Sequence, residues 1–150
     1  MITKTTETLA ELYETDESAW LEAMAELIRD GRLSELDYHH LQEHLEDMAL
    51  RDRKKVESRQ AILIAHVLQW TYQPENRTAS WRGTIIVQRY KLTKLLESGT
   101  LRKHAESSLV DSYADAVDMA MEETKLSAAT FPPECPWTLE QLLAAEMLAD

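Results

Sequence analysis

The feature that most constrains this chain is a stretch from Ser34 to Tyr72 that contains neither glycine nor proline. Apolar side chains recur between Leu41 and Trp70 at three- and four-residue steps, which is the spacing of one face of an α-helix. The pattern predicts one long, bent helix, or two helices joined end to end around residues 50–55, ending before Pro74. With three glycines and four prolines in 150 residues, the chain has too few turn residues for a β-sandwich or barrel.

Shorter helices are predicted on both sides of this stretch by their capping residues and periodicity. They run from Thr15 to Asp30, from Thr78 or Ser80 to Gly99, from Leu101 to Thr124, and onward from a capping box at Thr138. The last helix follows an extended, proline-rich segment, Phe131 to Pro136. The sequence therefore predicts a single all-α domain over residues 1–150. We expect a compact bundle of about four to five helices, with a long second helix and a short C-terminal one.

The apolar residues give no sign of a membrane or export signal. No run of 18 or more apolar residues exists, and the polar residues up to Tyr13 lack the apolar core of a signal peptide. Cys135 is the only cysteine, which excludes an internal disulfide and suits a reducing compartment. We therefore expect a cytoplasmic protein with no membrane partner.

Charge is distributed in blocks behind the net charge of −11. Residues 1–50 carry a net −10, residues 51–103 a net +8, and residues 104–150 a net −9. The basic block either pairs with the acidic flanks across helix edges or faces outward to receive an anion or an acidic partner. Because an acidic protein is repelled by polyphosphate, we do not expect a nucleic-acid partner.

The string His40-Leu41-Gln42-Glu43-His44 has the spacing of the H-x-x-E-H zinc peptidase motif, with two histidines on one helix face. A catalytic zinc site also needs a third protein ligand and an open position. Only Asp37, Asp47 and the distant His66 or His104 are conceivable third ligands. Since such a short match arises easily on a polar helix surface, we predict no metal site here.

Carboxylates recur on two of the predicted helices. They are Glu43, Glu46 and Asp47 on the second helix, and Asp111, Asp115, Asp118 and Glu122 on the fourth. Paired acidic helices can hold Mg²⁺ against phosphates, so an alternative function is a Mg²⁺-dependent nucleotide pyrophosphate hydrolase. Acidic stripes with this spacing are more often solvated helix faces.

Aromatic and guanidinium side chains concentrate around the turn that follows Trp70. Arg77 lies just before the next predicted helix, Trp81 and Arg82 lie in its first turn, and Arg89 follows Arg82 by seven residues, on the same face. Guanidinium groups in this arrangement can hold a carboxylate or phosphate bidentately. The alternative is a structural corner in which the arginines stack over the tryptophans or pair with acids.

Five sets of residues, spread over nearly the whole chain, form a recognisable combination. They are Leu12-Tyr13-Glu14-x-Asp16-x-x-x-Trp20, Leu36-Asp37 with Leu41, Glu43, Leu45, Glu46 and Met48, Trp70-x-Tyr72-Gln73-Pro74-Glu75, Ser80-Trp81-Arg82-x-Thr84-Ile85-x-x-Gln88-Arg89, and Phe131-Pro132-x-Glu134-Cys135-Pro136-Trp137-Thr138-Leu139-Glu140-Gln141-Leu142-Leu143. These residues give the chain its resemblance to a bacterial domain-of-unknown-function family, DUF29. The resemblance implies an all-α fold, usually as a stand-alone protein, and brings no established activity, substrate or cofactor. It also implies no metal site, because members carry Asn and Glu in place of His40 and His44.

These observations favour a binding protein over an enzyme. We expect a non-enzymatic helical domain that needs no cofactor and binds another protein or a second copy of itself. The predicted contact residues are Arg77, Trp81, Arg82 and Arg89, and no catalytic residue is predicted.

Overall fold

The computed structural model describes residues 8–144 of the chain. Six α-helices follow one another: α1 (Leu9–Thr15), α2 (Glu17–Arg29), α3 (Tyr38–Tyr72), α4 (Ala79–Leu95), α5 (Gly99–Thr124) and α6 (Leu139–Leu143). Three one-turn 3₁₀ helices lie between them. Residues 8–144 contain no strand, which confirms the prediction of an all-α fold with a long helix and a short C-terminal one. None of these helices is both long and apolar enough to cross a lipid bilayer.

Backbone contacts divide the chain into two compact units. The first unit comprises residues 1–50 and the second unit residues 51–150, so that α3 begins in the first and ends in the second. Each unit is described below by itself. The single domain expected over residues 1–150 stays a prediction.

The start of the chain holds a helix that the sequence interpretation missed. Thr8 caps α1 through a complete capping box, in which its hydroxyl accepts from the Glu11 amide and the Glu11 carboxylate accepts from the Thr8 amide. Thr15, which we expected to cap the first helix, instead ends α1. Asp16 caps α2, because its Oδ1 accepts from the Ala19 amide at 3.1 Å. The predicted start of this helix was wrong because two good capping residues, Thr15 and Asp16, are adjacent in the sequence.

The connection to α3 also differs from the expectation. Gly31 has a φ of +72°, the left-handed conformation common just after the end of a helix, and it follows the last turn of α2. The stretch without glycine and proline begins at Ser34, but Ser34 lies within a 3₁₀ turn and α3 starts later, at Tyr38. The cap is Asp37, whose carboxylate accepts from the His40 amide at 3.3 Å. From Tyr38 onward the helix is continuous to Tyr72, which settles the open choice in favour of one helix.

The first unit has a small interior. Among its described residues, Trp20, Met24 and His44 are buried. Its exposed large apolar side chains are Leu21, Ile28, Leu33, Tyr38, Leu45, Met48 and Leu50. Trp20 is fully enclosed, and its Nε1 donates to Asp37 Oδ2 at 3.2 Å. A single tryptophan and its hydrogen bond therefore lie at the centre of this unit.

The second unit has an extended apolar core. Its largest fully buried apolar side chains are Val56, Leu63, Ile64, Val67 and Leu68 of α3, Ile85 and Leu92 of α4, and Leu142 of α6. The small residues Ala105, Ala116 and Ala120 of α5 are buried. Their size lets α5 approach α3 closely enough for Gln60 Nε2 to donate to the Ala105 carbonyl at 3.1 Å.

The proline-rich segment is fixed to α5 by a tyrosine. Phe131 is buried, and the Tyr113 hydroxyl donates to the Pro132 carbonyl at 2.5 Å. Burial raises the pKa of Tyr113 to about 12. Cys135 is half-buried, its thiol donates to the Trp137 carbonyl at 3.3 Å, and burial raises its pKa.

Helix α6 follows this segment with the capping box that the sequence predicts. The Thr138 hydroxyl accepts from the Gln141 amide at 3.2 Å, and the Gln141 side chain accepts from the Thr138 amide at 2.9 Å. The paired bonds satisfy amide groups that the first turn leaves open. They allow a helix of five residues to begin directly after a proline-rich segment.

Candidate functional site

The first two predicted contact residues, Arg77 and Trp81, lie at the corner between α3 and α4. The Arg77 Nε donates to the Trp70 carbonyl at 2.8 Å, and its guanidinium carbon lies 4.7 Å from the centre of a Trp70 ring. Trp81 is half-buried and packs against the core of the second unit. The Thr78 hydroxyl caps α4 by accepting from the Trp81 amide at 3.1 Å. Arg77 thus takes part in the structural stacking that was the alternative interpretation of this corner.

Arg82 and Arg89 share a face of α4 but have different surroundings. Arg82 is exposed. Arg89 is buried, and its Nε donates to the Leu142 carbonyl at 3.0 Å, which joins α4 to the C-terminal turn of α6. A cation at that position also interacts favourably with the negative end of the helix dipole. Of the four predicted residues, Arg82 is the one with an exposed side chain.

A basic cleft lies between α3 and α4, where the sequence interpretation did not place a site. It has a volume of about 420 Å³ and is lined by Lys55 and Arg59 of α3 and by Tyr90, Lys91, Lys94 and Leu95 of α4. The sequence signal is the pairing of basic residues four apart on α3 and three apart on α4, which places each pair on one helix face. No acidic residue lines the cleft.

The cations of the basic cleft have few intramolecular partners. Arg59 Nη1 donates to Gln88 Oε1 at 3.1 Å. Lys94 Nζ lies 5.8 Å from the centre of the Tyr90 ring and 3.9 Å from a Glu97 carboxylate oxygen. The latter pair is exposed on both sides, so it is screened by water and holds Lys94 weakly. The cleft can therefore receive an anionic group without first breaking a strong ion pair.

The first unit contains a second polar cluster, built around the histidines of the H-x-x-E-H string. His40 Nδ1 lies 2.7 Å from Asp37 Oδ2, and the Tyr13 ring stacks on the imidazole with centroids 4.4 Å apart. Burial alone would raise the pKa of Asp37, but the hydrogen bonds from His40 and Trp20 outweigh it and lower that pKa. His44 Nδ1 lies 3.1 Å from a Glu17 carboxylate oxygen.

Three side chains in and beside this cluster lie close enough together to hold a metal ion. One ligand atom from each of His39, His40 and Glu43 lies within 4.8 Å of the others, and residues 8–144 contain no second group of three such ligands. The acids of α5, including Asp111, Asp115 and Asp118, therefore form no such trio within the described range. The hydrolase alternative stays a prediction that rests on the sequence.

A cavity in the second unit has a mostly apolar lining. It has a volume of about 970 Å³ and lies where α5 meets the proline-rich segment. Its walls include Leu109, Val110, Val117 and Phe131, with Cys135 on the same wall. Asp118 and Glu134 also line the cavity, beside these mostly apolar walls.

Comparison with known proteins places the chain in a family. The family model for the domain of unknown function DUF29 matches residues 12–148. The chain belongs to the DUF29 family. This confirms the resemblance carried by the Trp-Arg and proline-rich segments. No curated protein and no solved structure matches this DUF29 chain.

Proposed function

We propose that this DUF29 protein is a binding protein whose second unit holds an acidic segment of another protein in the basic cleft. The observation that carries the proposal is the lining of the cleft, in which four cations converge and no acid is present. Carboxylates bind a guanidinium such as Arg59 through paired hydrogen bonds, and lysines supply point charges around it.

The apolar members of the cleft favour a peptide over a bare anion. Tyr90 is well exposed, and Leu95 lies beside it in the lining. Aromatic side chains surrounded by cations are typical of protein interfaces, where the ring contributes buried area and the charges select the partner. The partner expected here is therefore an acidic segment that also carries apolar side chains.

The net charge of the chain restricts which anions approach the cleft. A protein with a net charge of −11 repels an extended polyphosphate over a long range, whereas a short acidic segment interacts mainly with the cleft. A second copy of the chain is one source of such a segment, because residues 1–50 carry 13 acids and 3 bases. Self-association is thus one form of the same proposal.

The test is fluorescence anisotropy with a labelled oligo-glutamate peptide that contains leucine. We expect Lys91→Glu to weaken binding about tenfold, because a like charge replaces an attractive one inside the cleft. Lys103→Glu is the matched control, since it makes the same charge change at an exposed lysine outside the lining. Equal weakening by both variants would mean that only net charge matters and would overturn the proposal.

The residues predicted from the sequence remain a second candidate surface, which the same assay examines. Arg82→Glu changes the one exposed member of that set and lies outside the cleft. If Arg82→Glu weakens binding and Lys91→Glu does not, the contact lies at the corner near Trp81. Stronger retention of an oligonucleotide than of the peptide would contradict both surfaces.

A further inference from the structure

The trio formed by His39, His40 and Glu43 takes no part in the proposed peptide binding. All three residues lie in the first turns of α3, within the first unit. His39 and Glu43 are exposed and four apart, so their side chains neighbour each other on the helix surface. The His39 and His40 ring centres are 5.2 Å apart. Two imidazoles and a carboxylate thus converge at one end of a helix.

The surroundings of His40 fix the orientation of its ring. Asp37 Oδ2 lies 2.7 Å from Nδ1, and the stacked Tyr13 ring holds the plane of the imidazole. A carboxylate that binds one ring nitrogen and leaves the other to coordinate is the usual outer partner of a metal-bound histidine. Asp37 is itself held by the Trp20 indole, so the orienting group is anchored in the interior of the first unit.

A further carboxylate oxygen lies near the second ring nitrogen of His40. Glu14 Oε1, at the end of α1, is 3.8 Å from His40 Nε2. Because Asp37 Oδ2 lies against Nδ1, Nε2 is the nitrogen that remains to bind a metal ion. Glu14 or a water molecule can then complete four-coordination, which three protein ligands leave open.

We propose that His39, His40 and Glu43 form a binding site for a divalent late first-row metal ion, with Zn²⁺ as the reference ion. Imidazole and carboxylate ligands suit Zn²⁺, Ni²⁺ and Cu²⁺ rather than Mg²⁺ or Ca²⁺. Bonds of about 2.1 Å place tetrahedral ligand atoms roughly 3.4 Å apart. The three ligand atoms lie within 4.8 Å of one another, so they would move together by up to roughly 1.4 Å on binding. The exposed His39 and Glu43 side chains can make that movement by changing rotamer.

The site departs from the sequence-based expectation of no metal. That expectation considered His40 and His44 as the ligand pair, with Asp37 among the conceivable third ligands, and interpreted the short motif as a chance match on a polar helix surface. In the structure His44 faces Glu17, and the adjacent His39 supplies the missing nitrogen. The site is therefore a property of this chain's own residues and does not depend on the zinc peptidase pattern.

The test is calorimetric titration of the untagged, metal-free full-length chain with Zn²⁺. We expect one site per chain, with affinity reduced about tenfold or more in His39→Gln and in Glu43→Gln. Both residues are exposed, so neither change removes a core contact. Glu46→Gln is the matched control for charge on the same helix, and His104→Gln is the matched control for a histidine in the second unit. Both controls should bind Zn²⁺ like the wild type.

A spectroscopic arm separates this site from scattered surface binding. Co²⁺ should give the strong visible bands of a four-coordinate ion in the wild type and lose them in His39→Gln. Asp37→Asn should weaken Zn²⁺ binding about tenfold through loss of the orienting carboxylate, with the helical circular dichroism retained. The spectrum of hydrated Co²⁺ in the wild type, or equal Zn²⁺ affinity in the wild type, His39→Gln and Glu43→Gln, would overturn the proposal.

Discussion

The two units bury their apolar side chains to very different extents. In the first unit the buried apolar residues within the described range are Trp20 and Met24, while large side chains such as Tyr38 and Leu45 are more than half exposed. In the second unit α3, α4, α5 and α6 together enclose a continuous apolar cluster. The same chain thus contains a unit held by one tryptophan and a unit held by a broad core.

Helix α3 contains this contrast within itself. Every residue from 45 to 55 is exposed, whereas between residues 60 and 70 all but Ile62 and His66 are buried. The exposed part has no packed face, so its helical form depends on residues of good helix propensity and on continuity with the packed turns. Helix propensity, uninterrupted by glycine or proline, and the adjoining packed turns therefore carry the helix through a segment that packing does not hold.

The two units also differ in the kind of interaction that orders them. In the first unit, hydrogen bonds and ring contacts join Tyr13, Trp20, Asp37, His40 and His44. The second unit adds isolated polar bonds to an apolar core that is already closed. We therefore expect the first unit to be lost as a whole when its centre is removed, and the second unit to tolerate single deletions.

The largest expected effect tests the centre of the first unit. Trp20→Ala should lower the free energy of unfolding of the first unit by about 3–5 kcal/mol, because it removes a fully buried ring. The other buried side chains of this unit, Met24 and His44, cannot fill the cavity that the ring leaves. Hydrogen exchange followed by mass spectrometry should then show loss of amide protection throughout α2, with protection in α4 and α5 retained. If α2 keeps its wild-type protection in this variant, the first unit does not depend on Trp20 as a whole and the contrast between the units is wrong.

The matched change in the second unit is Leu68→Ala, also at a fully buried position. It should lower the free energy of unfolding of the second unit by about 3 kcal/mol, as large-to-small substitutions in cores do. The helices of the second unit should remain protected in native buffer, and the loss should appear as a lower urea midpoint. Cooperative loss of α4 and α5 protection would show that this core is no more tolerant than the first unit.

An intermediate effect concerns Tyr113. Tyr113→Phe should cost about 1 kcal/mol near neutral pH, because the Pro132 carbonyl loses its donor. The folded-state pKa of Tyr113, about 12, lies above the ordinary value of 10.0. The contribution of the hydroxyl is therefore complete below pH 10 and is lost as the pH rises through 12. Urea unfolding of the two proteins should converge over that range, and Tyr90→Phe, an exposed change, should not alter the pattern.

The smallest expected effects come from the two capping boxes, one in each unit. Thr8→Ala and Thr138→Ala should each cost about 0.5 kcal/mol of local helix stability, the low end for loss of a capping side chain. Exchange should increase in α1 alone for the first variant. For the second it should increase in α6, with less fraying, because Leu139 and Leu142 are buried in the core. Equal fraying of α1 and α6 would indicate that tertiary packing contributes little to α6.

Much of the fold could be predicted from the sequence because its signals are local. The cap at Thr78 and the capping box at Thr138 lie at predicted helix starts. Helix α5 instead begins two residues before the predicted Leu101, at Gly99, which was predicted to end the preceding helix. Helix α1 was missed although Thr8 and Glu11 have the spacing of a capping box. The neighbouring caps Thr15 and Asp16 compete for one helix start, and only tertiary contacts decide between them.

The site residues were less predictable, because their surroundings depend on distant segments. Arg89 follows Ile85 by four residues and therefore lies near the buried stripe of α4, but its hydrogen-bond partner is a carbonyl 53 residues further along the chain. The basic cleft needs α3 and α4 to be placed side by side before Lys55 and Lys91 can face one opening. His39 was not among the candidate ligands because it lies outside the H-x-x-E-H spacing, which selects His40 and His44.

The half-buried Cys135 is a chemical probe of the second unit. Its thiol is tied to the Trp137 carbonyl beside the proline-rich segment, and its raised pKa keeps little of it as the reactive thiolate. Because it is the only cysteine in the chain, the rate at which a thiol reagent labels the protein reports how accessible this one thiol is. A compound bound in the neighbouring apolar cavity, which Cys135 lines, would slow the labelling. The labelling rate can therefore be used to screen apolar compounds for binding to this protein.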